Sequence, residues 1–455
     1  MGNKSKAGDS NNPFTNRTPP PSDSETAEQM TKRIKQEEAA QQVSKEIDEI
    51  LYERKKYLEK KRKAVQILLL GQSESGKSSI LKNFHLAFAP KAFQKEREVW
   101  RTVIQLNLIS SIKRVLDILK EEWEPEELEI PTTPDLDTPL LRNLRRMRLG
   151  LSPLIFLENT LTHSLAPELA GSGDVCVRAG TPWKSLLNLR RPSTASSESR
   201  RKTSSSDPSS VLVASRDNIV ALWEDQAVQE VLKRRELRLE FTSGFFLHDA
   251  RRIASEDYVP TDADIVRARV RTMGAEEHQL TIEKGEQGLD SGSDIYVTDV
   301  GGSRSARQSW IPFFESVNAI LFIAPLAFNE TLEEDPRVNR LEDSFSLWRE
   351  ICSSKLLMHA QLILFLNKKD VLSATLEAGV TVKKYVPSYN MPNDVLHVTK
   401  YFREKFHAYL RKLSPKPRPF MCYETSALDT SATAAVLVGV REIIIRQQLE
   451  DAQML

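Results

Sequence analysis

Apolar positions follow three different patterns along this chain. Residues 26–63 are charged and contain no Gly or Pro, and Ile47, Ile50, Leu51 and Leu58 recur at helical spacing. That predicts one long polar helix with a thin apolar stripe. Such a helix either packs lightly on its own domain or binds a partner. The partner is favoured, because so thin a stripe gives a long helix little reason to stand alone. Residues 95–122 carry a broad helical periodicity through Val99, Val103, Ile104, Leu106, Ile109, Ile112, Val115, Leu116 and Leu119. The same pattern returns over Asn218–Leu239 and Phe245–Ile253. Between them lies an acidic, Pro-rich stretch from Glu121 to Pro139, a helical piece around Leu140–Leu161, and a Ser/Arg-rich tract from Arg190 to Ser210. The composition of that tract cannot bury a core, which predicts a disordered loop. It contains Arg190-Arg191-Pro192-Ser193 and Arg200-Arg201-Lys202-Thr203, which resemble kinase sites and fit a solubilising spacer equally well.

The third pattern is the short continuous apolar run. Val65–Leu70, Asp294–Val300, Ala319–Pro325, Gln361–Leu366 and Phe420–Glu424 are such runs, with helical stretches between them and a last helix from about Ala434. Buried parallel strands joined by helices predict a doubly wound α/β sheet. The predicted organisation is a disordered N-terminus at 1–25 and a partner-binding helix at 26–63. The α/β domain begins at 64–90 and is interrupted by an all-helical domain at 91–256, in which an insertion at about 125–215 is largely disordered. The α/β domain then resumes and runs from 257 to 455.

Composition narrows the function classes. The chain has 455 residues, with Lys plus Arg at 64 against Asp plus Glu at 63. So even a balance argues against coating nucleic acid by bulk charge. Cys176, Cys352 and Cys422 lie far apart, with neither metal spacing nor a disulfide framework, which fits a reducing compartment. No apolar run approaches the roughly 18 residues of a membrane span, and the N-terminus has no apolar signal-peptide core. Gly2 is a lipidation candidate for a myristoyl chain. Lys6, however, stands where Ser or Thr is wanted, and Ser5 comes one place early.

The candidate chemistry sits where the apolar runs end. Gly71, Gly76, Lys77 and Ser78 fit G-x-x-x-x-G-K-[ST] directly after the first strand. A loop that wraps phosphates needs backbone N–H groups turned inward, and the helix behind it offers its N-terminus to the anion. Lys77 would reach the β- and γ-phosphates, and the Ser78 hydroxyl would ligate Mg²⁺. Asp299 ends the second strand, followed by Gly301 and Gly302, and is placed to orient Mg²⁺ through water. Asn367-Lys368-Lys369-Asp370 follows the fourth run. A carboxylate at Asp370 can accept two hydrogen bonds from guanine N1 and its 2-amino group. Adenine cannot supply that pair. Lys368 can lie along the base, and Thr425-Ser426-Ala427 would bring a backbone N–H to O6. The bland alternative for each of these is ordinary strand-end punctuation, but their order along one chain disfavours it.

A family resemblance rests on these residues and three more clusters. Asp264–Gly274, with Tyr258–Thr261 before it, resembles switch I of heterotrimeric G-protein α subunits. Asp299–Gly302 with Arg304, Arg307 and Trp310 is similar to switch II. Leu332–Asp335 through Asn339, Arg340 and Ser344 is similar to switch III. The long insertion resembles that of divergent fungal α subunits. The resemblance implies a P-loop GTPase (Ras-like) fold carrying a helical domain, with GTP or GDP as bound nucleotide and Mg²⁺ as cofactor. It implies nucleotide contacts from Glu74, Ser75 and Ser79 of the loop and from Arg267. Arg269 would be the catalytic arginine supplied in cis. Thr272 would ligate Mg²⁺ beside Ser78, and Gly302 would sense the γ-phosphate. It also implies a βγ dimer bound through the N-terminal helix (Ile47, Leu51) and Trp310, a seven-helix receptor engaging the C-terminal helix, and a peripheral place on the cytoplasmic face of the plasma membrane.

Two departures stand out against the family's D-V-G-G-Q and G-A-G-E-S-G-K-S. Ser303 occupies the place of the Gln that orients the attacking water, and Ser73 replaces a glycine beside the γ-phosphate. Both touch hydrolysis more directly than binding. The expectation is a GTP switch with weak intrinsic hydrolysis, against a GTP-binding scaffold that switches little. A P-loop kinase or ATPase is a third reading, disfavoured by Asn367–Asp370.

Overall fold

In a computed structural model the described residues are 27–123, 139–165, 176–178, 208–282, 294–426 and 428–451. Helix α1 (Ala27–Lys63) belongs to a unit separate from Ala64–Leu455. Ile47, Ile50, Leu51 and Leu58 are exposed on it. The larger unit begins with β1 (Val65–Leu70) and α2 (Lys77–Phe88). Its helical layer is α3 (Arg97–Trp123), α4 (Pro139–Leu165), α5 (Pro208–Glu224) and α6 (Gln226–Arg234). A short strand, β2 (Cys176–Arg178), falls between α4 and α5. The chain then runs through α7 (Asp262–Arg267), β3 (Arg271–Met273), β4 (Ala275–Thr281), β5 (Asp294–Val300) and β6 (Ala319–Pro325). It ends with α8 (Arg340–Ser353), β7 (Gln361–Asn367), α9 (Lys369–Glu377), α10 (Val395–Leu413), β8 (Met421–Glu424) and α11 (Thr430–Asp451).

Six strands form one sheet in the order β4-β5-β1-β6-β7-β8. β4 is antiparallel to β5, and the other pairings are parallel. All seven positions of β5 and of β6 are buried, as expected of strands covered on both faces. Successive side chains go to opposite faces. Leu68, Ile320, Phe322, Leu364 and Leu366 join Trp348, Phe402 and Phe406 in one core. Ile67, Leu69, Leu321, Ile323 and Phe365 join Phe84 of α2 and Leu437 and Ile444 of α11 in the other. The register places Leu69 opposite Asp299, Leu70 opposite Phe322, Pro325 opposite Asn367 and Leu366 opposite Glu424. The loops after β1, β5, β6, β7 and β8 therefore leave the sheet along one edge, where ligands bind in such folds.

A third core holds the helical layer together. Val103, Ile104, Ile112 and Leu119 of α3 pack with Leu151, Leu154 and Leu157 of α4, Leu212, Ile219 and Leu222 of α5, and Phe245 and Phe246. Within 125–215, the stretch expected to be largely disordered apart from a helical piece around Leu140–Leu161, the described residues are α4 (Pro139–Leu165), β2 and the start of α5. Leucines recurring at helical spacing on α4 bury a face against α3 and α5, and truncating a buried Leu such as Leu154 would cost about 2–5 kcal/mol. Strands β2, β3 and β4 had no apolar run to announce them. β4 is a polar edge strand paired on one side, and β2 and β3 are three residues each, parallel to one another with Val177 opposite Thr272. Among the described residues no helix is long and apolar enough to cross a membrane.

Candidate functional site

The loop after β1 closes on itself. At Gly71 the backbone has φ +149°, and a Cβ there would stand 2.4 Å from the Ile323 carbonyl oxygen. Gly302 lies as close on the other side, since its Cβ would meet the Gln72 backbone at 2.4 Å and Lys77 Nζ at 2.5 Å. Helix α2 starts at Lys77 with no side chain capping it, so its first N–H groups stand open to an anion. Lys77 Nζ donates to the Gly71 carbonyl at 3.0 Å and the Gln72 carbonyl at 2.9 Å. Burial pushes this ammonium down to about 8, with the Asp299 carboxylate partly opposing. A cavity of about 350 Å³ opens in front, lined by Glu74–Ser79, Ala268–Arg271, Asp299–Gly302 and Ser303. The buried Ser75 hydroxyl on its wall has no hydrogen-bond partner among the described residues.

Ser78 Oγ donates to Asp299 Oδ2 at 2.7 Å, so the hydroxyl and carboxylate expected to serve Mg²⁺ already touch. Among the described residues no cluster of three or more His, Cys, Asp or Glu could hold a metal alone. A divalent ion here would take most of its ligands from phosphate oxygens and water, which suits Mg²⁺.

The residues expected to read the base are tied to this loop from behind. Buried Asn367 donates from Nδ2 to the Ser75 carbonyl at 2.8 Å and accepts from Thr425 Oγ1 at 3.2 Å. Thr425 N–H in turn donates to the Leu366 carbonyl at 2.9 Å. Lys368 adopts φ +62° and turns the chain into α9, where Asp370 stands exposed in the first turn. The Ser426 carbonyl accepts from Thr433 of α11 at 3.2 Å. These residues adjoin the loop without lining the 350 Å³ cavity. Ala427 lies outside the described residues, as do Gly2 and 452–455.

Helix α7 is fixed by a capping box between Thr261 and Asp264. Burial alone would raise the Asp264 carboxyl, but Arg252 and the Thr261 backbone overcome it and hold it at about 2. Beyond α7, the Arg269 backbone makes two bonds to Asn107 of α3, at 2.7 Å and 3.0 Å. Its guanidinium stands on the cavity wall, 2.6 Å from Glu74 and 3.3 Å from Glu333. Burial would raise Glu74 as well, yet Arg269 and Arg340 hold it below the ordinary carboxylate range. Ser79 Oγ donates to the Val266 carbonyl at 3.2 Å. Thr272 is in β3, and its side chain lies outside the described residues. Ser303 is on the cavity wall with its hydroxyl 3.3 Å from that of Ser305.

Two expected contacts are not where the sequence put them. Arg267 does not reach the cavity, because Asp249 holds its guanidinium at 2.9 Å and the Phe246 ring lies beneath it. Trp310, expected at a partner surface, is covered in the free chain. Its ring is buried and its indole N–H donates to the Gly301 carbonyl at 2.9 Å, which leaves Ile311 as the exposed neighbour. Sequence reasoning also missed Gln72, whose side chain runs from the loop to α8, and Asn107 beneath Arg269. The signal for Gln72 was a large polar residue where the loop pattern carries alanine. Asn107, inside a helical apolar stripe, gave none.

The comparisons with known proteins agree with this geometry. A family model described as G-protein alpha subunit matches residues 41–444. The chain belongs to the G-protein α subunit family. Several fungal proteins are similar to it. It is 28% identical to the guanine nucleotide-binding protein alpha-4 subunit of Mycosarcoma maydis, over 92% of this chain and 91% of that one. It is also 28% identical to the alpha-2 subunit of Neurospora crassa, over 92% and 98% respectively. An α subunit of Emericella nidulans is 29% identical over 85% of this chain and 90% of its own length. The chain is a divergent, fungal-type α subunit. Its fold is accordingly the Ras-like GTPase sheet with the inserted helical domain. Gα subunits as a family bind GTP and GDP with Mg²⁺ and act with βγ dimers and receptors.

Proposed function

We propose that this α subunit is a guanine-nucleotide switch that binds GTP through an intact set of groups and hydrolyses it slowly. The observation that supports the reading is that Lys77, Ser78, Asp299 and Asn367 converge on the loop after β1 while serines stand at 303 and 73. Lys77 would neutralise the β- and γ-phosphates. Ser78 and Thr272 would ligate Mg²⁺, with Asp299 acting through water. Mg²⁺ would supply charge neutralisation across the phosphates. Asp370 would select guanine, with Lys368 along the base and the Thr425–Ala427 backbone at O6. Arg269 would leave Glu74 or Glu333 to meet charge on the transferring phosphoryl group. Ser303 ends two carbons short of a glutamine amide and cannot hold water at the same place.

A βγ dimer would bind α1 through Ile47 and Leu51 together with switch II, and a seven-helix receptor would engage α11. The protein would work at the cytoplasmic face of the plasma membrane, held there by a lipid on Gly2 or by its partners. Single-turnover hydrolysis of bound GTP tests the slow turnover. Ser303→Gln with Ser73→Gly is expected to raise the rate at least 10-fold. A wild-type rate equal to that of α subunits carrying the Gln would overturn the reading. The scaffold alternative separates on βγ affinity: equal binding to the GDP and GTP forms means no switch.

A further inference from the structure

Gln72 sends its side chain away from the nucleotide. The residue is 1% exposed, and Nε2 donates to the Arg340 carbonyl at 2.7 Å and to Ser344 Oγ. Ser344 Oγ donates to the same Arg340 carbonyl at 3.0 Å, so one amide, one hydroxyl and one carbonyl meet at the first turn of α8. Arg340 answers in the other direction. Its Nη1 donates to the Ser73 carbonyl at 2.8 Å and its Nη2 to Glu74 at 2.9 Å. Three consecutive loop residues are thus held by two residues of α8. The Gln72 carbonyl lies where the moving parts converge. It accepts from Lys77 Nζ at 2.9 Å and from Ser75 N–H at 3.3 Å, and it stands 2.5 Å from where a Cβ on Gly302 would be.

We infer that Gln72 is a positioning residue, a latch that fixes the front of the phosphate loop to α8 and slows release of bound nucleotide. The inference rests on the guanine-nucleotide reading above. Phosphate must draw Lys77 off the Gln72 carbonyl. A loop held by its side chain keeps its shape when that happens, so the cradle closes on the nucleotide without first ordering itself. Released from the latch, residues 72–74 would sample other backbone conformations, and the nucleotide would leave through them. The latch also runs straight from the loop to α8, whose Asp343 pairs with Arg307 of switch II at 2.5 Å.

The test is dissociation of a fluorescent GDP from the full chain, chased with unlabelled GDP, for wild type, Gln72→Met, Ser344→Ala and the double variant. Methionine keeps the volume and removes the donor. Ser344→Ala removes one of the two acceptors of the Gln72 amide from outside the loop and leaves the Arg340 carbonyl. Gln72→Met is expected to speed dissociation about 5- to 10-fold, Ser344→Ala by less, and the double variant no more than Gln72→Met alone, because both act on the contacts of one amide. Melting temperatures should move little, which separates positioning from general loss of fold. Unchanged dissociation in both singles, or full multiplication of the two effects in the double, overturns the latch. Failure of the wild-type chain to bind labelled GDP at all overturns the guanine-nucleotide reading itself, and the latch with it.

Discussion

At the base end of the cleft, Asn367 is buried and bonded to both the phosphate loop and Thr425. At the phosphate end, Arg269 is held by Glu74 and Glu333, and the Ser303 hydroxyl lies beside that of Ser305. One end is a fixed scaffold of neutral hydrogen bonds. The other is a set of charged side chains held by other charged side chains, each able to exchange partners when phosphate arrives. Under the proposed function, affinity and turnover would be separable, and residue 303 could change without touching a group expected to hold the nucleotide.

Four measurements bear directly on that contrast. The largest effect is expected at Asp370. Wild type should prefer GTP to ATP by about 10⁴-fold, and Asp370→Ala should bring the two within about 10-fold by competition binding. A preference that survives the substitution would move base recognition elsewhere. Next, Arg269→Ala should lower single-turnover hydrolysis by about 10³-fold, a size known for cis arginines in this family and not deduced from this geometry. The same variant should change GTP affinity far less, and an equal loss in both would join the two ends that the contrast separates. Third, Asn367→Ala leaves the Ser75 carbonyl without its donor, which should cost about 1–3 kcal/mol in nucleotide affinity by titration.

The smallest effect concerns the support of the phosphate end. Asp264 is held at about 2, below its ordinary 3.8. A carboxyl lowered by folding stabilises fully above its unfolded value, and that stability fades as pH falls from about 4 toward 2. With half-exposed Arg252 as partner, the contribution is about 1–2 kcal/mol. Asp264→Asn should lose that amount in urea melts at pH 7, and the gap to wild type should narrow at pH 3. A gap independent of pH would mean packing, not charge, is what Asp264 supplies.

The strands that carry binding chemistry were legible because burial on both faces leaves continuous apolar text, as in Ala319–Pro325, and because Gly71, Gly302 and Asn367 follow such runs at fixed spacing. Edge strand β4 was not, since most of its residues are polar and it pairs on one side only, with Leu280 its one fully buried side chain. The helix over 139–165 was visible as periodicity, yet Pro153 inside it and the arginines of its first half hid that its leucines face a core. Trp310 and Arg267 make contacts that motif spacing did not announce, for a shared reason. Motif spacing says which residue stands where along the backbone, but a long side chain chooses among neighbours that only the fold assembles. Gly301 and Asp249 were those neighbours.

The short parallel pairing of β2 with β3 has a mechanical meaning. Cys176–Arg178 belongs to the stretch inserted among the helices, and Arg271–Met273 follows Arg269 on the cavity wall and leads into β4. Backbone bonds therefore tie a piece of the inserted stretch to the segment that carries Arg269, so a pull on either strand is felt by the other.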